Sequence, residues 1–141
     1  MNMDMEILHE EITKIENATD EYEVDEFIME ESVEVIKNAG YGIEAVEEML
    51  LLMERHPLVE FGVPGAIVHF VETFYCKGYE DLLVQSVKRN PTIHTVWMLH
   101  RLINAPKETR KKEFVLLMQE IADRTDIANE IANSAKGFLA G

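Results

Sequence analysis

The chain has a single cysteine, Cys76, which excludes an internal disulfide and leaves no second thiolate for a structural zinc site. A lone thiol of this kind is expected as a small buried core residue. No run of about 18 apolar residues is present, so no segment is suited to cross a bilayer as a helix. The acidic N-terminal stretch lacks the basic region and apolar core of a secretory signal, so the protein is expected to stay in the cytoplasm. Serine is scarce: Ser32, Ser86 and Ser134 are the only examples, and none sits in a Gly-x-Ser-x-Gly context. There is no phosphate loop, dinucleotide fingerprint or nucleophile with a local base. These absences argue against an enzyme and against a cofactor.

Positive charge is also scarce, with 13 Lys and Arg against 27 Asp and Glu. Its distribution is uneven. Residues 1–60 hold 18 acids and 3 bases, a net of −15, whereas residues 61–141 hold 9 acids and 10 bases, a net of +1. A concentration of one sign in one part of a chain marks an interaction surface. It argues against direct nucleic-acid binding by that part and favours fast encounter with a basic partner.

What the sequence does have is helical periodicity. With 141 residues and 47% hydrophobic content, the chain is expected as one all-helical domain with a sizeable core, 1–141, in which 1–17 is either flexible or loosely docked. Met5, Leu8, Ile12 and Ile15 predict a first amphipathic helix over Met3–Asn17. Asp20 is a candidate cap for a second, with Val24, Phe27, Ile28, Val35 and Ile36 inward and Glu23, Asp25, Glu26, Glu30 and Glu34 outward. Gly40-Tyr41-Gly42 stops it. A third helix is predicted over Ile43–Arg55, burying Ile43, Val46, Met49, Leu50 and Met53.

Residues 57–65 contain Pro57, Gly62, Pro64 and Gly65 and predict a structured loop. A fourth helix begins near Pro64, burying Ala66, Ile67, Phe70, Val71 and Phe74, and ends before Gly78; a fifth spans Tyr79–Lys88. Asn90 as cap and Pro91 as first residue open a central helix to Asn104, apolar on several faces, with Trp97 in the core. Phe114, Leu117, Met118 and Ile121 mark another helix, and Thr125 or Asp126 caps a last one that fades at Gly137. No stretch alternates with period two. The fold class is therefore all-α: seven to eight antiparallel helices in a compact HEAT-like or irregular helical bundle.

Few residues suggest chemistry. Glu6-x-x-His9 has metal-ligand spacing on a helix, but no second copy accompanies it, so no metal site is expected. His94 and His100 lie six residues apart, too far to converge on one ion, and are expected as hydrogen-bonded semi-buried side chains. Arg110-Lys111-Lys112 is read as a solvated run, or one that pairs with the acidic N-terminal helices.

The block from His56 through Gly65, with Gly78-Tyr79-Glu80, Asn90-Pro91-Thr92 and Thr95-Val96-Trp97-Met98-Leu99, resembles small bacterial immunity proteins of polymorphic-toxin and contact-dependent growth inhibition systems. The resemblance covers about half of the chain. It implies a non-enzymatic antitoxin that binds the toxic C-terminal domain of a cognate effector, commonly a nuclease, and occludes its active site. The acidic N-terminal part independently complements a basic cleft of that kind. The expected partner-binding residues are Glu23, Glu26, Glu30, Tyr41, Glu44, Glu47, Glu48, Glu54, Glu60 and Phe61, with Tyr22 as a further aromatic anchor. The alternative is a helical-repeat adaptor or a regulatory subunit that binds a protein partner.

Overall fold

The computed structural model describes residues 4–62 and 64–141; the expected helix start at Met3 and loop residue Val63 lie outside these. Among the described residues there are eight helices and no strand: α1 (Glu6–Asn17), α2 (Glu26–Asn38), α3 (Ile43–Arg55), α4 (Gly65–Glu72), α5 (Tyr79–Arg89), α6 (Ile93–Ile103), α7 (Lys111–Ala122) and α8 (Asn129–Ala140). They form a compact all-α bundle. α3 touches α1, α4, α5 and α6, and α6 touches α3, α5, α7 and α8, so these two helices join the N-terminal and C-terminal parts.

α6 has neighbours on several sides because Val96, Met98, Leu99 and Leu102 are all buried and fall on different helical faces. Its start differs from expectation. Thr92, not Asn90, is the cap, and Thr92 and Thr95 close a reciprocal capping box in which each side chain accepts from the other's backbone N–H. Asn90 instead donates its side-chain amide to the Glu54 carbonyl oxygen at 2.8 Å, tying the α5–α6 turn to the end of α3. Trp97 is partly buried, packed against the core rather than enclosed by it. Met49, Met53, Met98 and Met118 fill the interior as expected of flexible side chains.

α2 is rotated from its expected orientation. Its cap is Asp25, which accepts from the Ile28 N–H, and Met29, Ser32, Val33 and Ile36 form the buried stripe. Phe27 is two residues, or about 200°, from Met29 and is therefore turned to solvent, 69% exposed. Val35 is exposed as well. Asp20 caps a turn instead, accepting from the N–H groups of Tyr22 and Glu23.

Three further expectations are corrected. Cys76 is exposed, in a left-handed turn at φ 64° where its N–H donates to Glu80. α8 begins after Ala128, with no side-chain cap from Thr125 or Asp126, and runs through Gly137 to Ala140. Arg110 pairs with Asp81 and Glu113 rather than with the acidic N-terminal helices. The loop before α4 requires glycine at Gly62: φ is +100°, and a Cβ there would lie 2.7 Å from the Gly65 Cα.

Candidate functional site

Two surfaces stand out, an acidic ridge on α2 and an aromatic cleft on the far side of α6. On α2, Phe27 lies opposite the buried stripe among Glu26, Glu30, Glu31 and Glu34 on exposed positions, and Glu23 is exposed just before the helix. Among the described residues none of these five carboxylates is within ion-pair distance of a lysine or arginine. Tyr22, 56% exposed, extends the ridge from the loop before α2, and the neighbouring Glu21 charge raises its phenol pKa. An exposed aromatic among unpaired acids offers apolar contact and charge at one place.

The predicted partner-binding residues separate into three groups. Glu23, Glu26, Glu30, Glu47 and Glu60 are exposed, and Glu23 and Glu60 sit side by side in a single-residue backbone bridge. Glu44 and Glu48 are half-buried: Glu44 accepts from the Gly42 N–H and Glu48 lies 3.8 Å from His9. The other three are occupied inside the fold. Phe61 is fully buried, and its N–H donates to His94. The Tyr41 hydroxyl accepts from the Leu8 N–H and donates to the Asp4 carbonyl, holding the start of α1 against the turn between α2 and α3. Glu54 is 8% exposed and accepts from Ser86 and, through both oxygens, from Arg89. Phe61, Tyr41 and Glu54 are therefore corrected to structural residues, because a partner cannot reach them without opening the core.

Phe27, Glu31 and Glu34 were not among the predicted contacts. The signal that finds them is the Met29-x-x-Ser32-Val33-x-x-Ile36 stripe: once that face is buried, Phe27 has to point outward. Aromatic size alone favours the opposite choice.

The cleft, about 640 Å³, is lined by Tyr75, Tyr79, Trp97, Arg101, Asn104 and Pro106 among others. The Arg101 guanidinium lies over the Trp97 ring at 5.1 Å and forms a two-pronged pair with Glu72, at 2.7 and 2.8 Å. The Tyr75 hydroxyl donates to Glu108 at 2.6 Å, which raises its pKa and links the turn after α4 to the α6–α7 connection. The polar side chains Glu72, Tyr75 and Arg101 thus already have partners within the chain.

Next to Trp97, with ring centroids 5.2 Å apart, His94 is 1% exposed. Its Nδ1 accepts from the Phe61 N–H, so the neutral ring carries its proton on Nε2, which has no hydrogen-bond partner among the described residues. Burial lowers its pKa to about 4. His100 stacks on Phe138 with centroids 4.2 Å apart, while His69 is exposed on α4. No group of three or more metal-binding side chains occurs among the described residues, and none of their helices is long and apolar enough to cross a membrane. No protein-family model, curated protein or solved structure matches this chain.

Proposed function

We propose that the protein is a non-enzymatic binding module whose partner presents a basic surface to α2, acting as an immunity protein toward the toxic domain of a bacterial effector. One observation carries the reading: the unpaired glutamates of α2 surround an exposed Phe27 on the side facing away from the core. Free carboxylates steer a basic partner and set specificity, whereas a packed aromatic governs residence. Occlusion follows if the partner is a nuclease, because the cleft that holds phosphates is the basic surface such a ridge meets. The toxin class itself comes from the sequence resemblance.

The test begins with affinity capture from the native host and mass spectrometry, followed by kinetics with the purified partner. The on-rate should fall steeply as salt rises. Phe27→Ala should leave the on-rate within a fewfold and raise the off-rate by roughly tenfold or more, as expected of an aromatic anchor. A salt-insensitive on-rate together with an unchanged off-rate would refute the reading. The aromatic cleft supports a second reading, an adaptor that binds a peptide there; it predicts that substitutions at Trp97, not Phe27, abolish capture.

A further inference from the structure

Between α2 and α4 runs a groove formed by two adjoining hollows of about 400 and 530 Å³, which share Glu30, Ala66 and His69. Its floor is apolar, drawn from Met29, Val33 and Phe70, all buried beneath it. Its depth depends on small residues on the α4 side: Ala66 lines both hollows, and a Cβ at Gly65 would already reach within 3.7 Å of the Met29 side chain. Along the α2 rim, Glu26, Glu30 and Glu34 follow at i, i+4 and i+8, a line about 12 Å long, and Lys37 lies beyond Glu34 at its far end. None of the three has a lysine or arginine within ion-pair distance among the described residues.

We propose that this groove seats a basic amphipathic helix of the protein partner, its apolar stripe on the floor and Lys or Arg at i, i+4 and i+8 against the glutamates. The inference rests on the reading of α2 as the partner-facing helix and adds what is bound and where. Charge complementarity selects a basic occupant, and the apolar floor selects an amphipathic one. Both long walls are helices whose backbones are already hydrogen-bonded, so an extended peptide would find no main-chain partners, whereas a helix arrives with its own satisfied.

The probe is a fluorescein-labelled synthetic peptide of about 18 residues, long enough to hold a helix, with a leucine stripe flanked by lysines at i, i+4 and i+8. Its control carries glutamate in place of each lysine. Fluorescence polarisation at low salt should show saturable binding of the lysine peptide only. Ala66→Phe, which fills the groove, and His69→Lys, which adds a like charge from the exposed α4 wall, should each weaken it by about tenfold or more. His69 is exposed, so that variant keeps its fold and decides the matter if Ala66→Phe does not. Binding of both peptides alike, no binding of the lysine peptide, or binding unchanged by His69→Lys overturns the groove. Repeating the two substitutions with the captured partner separates the levels. If Phe27→Ala and salt weaken that complex while Ala66→Phe and His69→Lys do not, the groove fails and the α2 reading stands; if none does, both fail.

Discussion

Acidification should destabilise the fold through one residue, His94. In the folded protein its Nδ1 accepts the Phe61 N–H, and no polar group among the described residues meets Nε2, so protonation would break a buried hydrogen bond and strand a charge. The folded pKa is about 4 against an ordinary value of 6.5. A depressed pKa means that the stabilisation is fully present above 6.5 and is lost as pH falls from 6.5 towards 4. At pH 5 the unfolded imidazole is almost wholly protonated and the folded one hardly at all, so the loss relative to pH 7 is about 2 kcal/mol. His94→Gln supplies the comparison, since an amide oxygen can accept from Phe61 and does not titrate. Urea unfolding followed by circular dichroism at pH 7 and pH 5 should show the wild type losing about 2 kcal/mol more than the variant over that interval. The carboxylates are common to both proteins and cancel in the difference. Equal losses in the two would refute the argument and place the ring in contact with water.

Glu54→Ala should cost about 3 kcal/mol in chemical denaturation, because the buried Ser86 hydroxyl and Arg89 lose their acceptor together; Glu54→Gln, which keeps an acceptor, should cost less than half of that. Trp97→Ala should cost about 2 kcal/mol rather than the roughly 3–5 of a fully enclosed aromatic, since one side of the ring borders the cleft. Raising salt should increase the melting temperature of the free protein, by screening repulsion within the acidic N-terminal part, while weakening the partner complex. The opposite sign in the free protein would show that its ion pairs outweigh that repulsion.

Much of the fold was legible because its helices carry plain signals. α3 spans the residues that its periodicity and flanking turns predict, with Gly40 at φ +84° before it and His56-Pro57 after it. α2 was misread in orientation, since two faces hold apolar residues and hydrophobicity alone does not choose between Phe27 and Met29. The choice is made by tertiary packing: small Ser32 and slender Met29 and Val33 line the side that meets α1 and α4, and the bulkier ring is left outside. Phe61 and Tyr41 were misassigned for the reverse reason. Aromatics in loops beside glycine look free until a long-range partner is seen, here His94 for one and Asp4 and Leu8 for the other. Cys76 shows the limit of burial preference: a turn that needs a left-handed residue placed the thiol outside.

The charge pattern acquires a division of labour once the pairs are known. All five arginines are engaged, and four of them form ion pairs between separate parts of the chain: Arg55 of α3 with Glu16 of α1, Arg89 of α5 with Glu54 of α3, Arg101 of α6 with Glu72 at the end of α4, and Arg110 before α7 with Asp81 of α5. Arg124 pairs locally with Asp126 and also donates to the Lys88 carbonyl. The planar fork of arginine suits this task, because it fixes two elements through paired hydrogen bonds. The glutamates of α2 receive none of these arginines, although the chain as a whole has bases to offer. Lys14 of α1 is near enough to Glu31 for their charges to attract, so neutralisation by a neighbouring helix is partial rather than absent. The α2 glutamates' being left without an ion pair among the described residues, around Phe27 and along a groove with an apolar floor, leaves a repulsion that a basic partner would relieve.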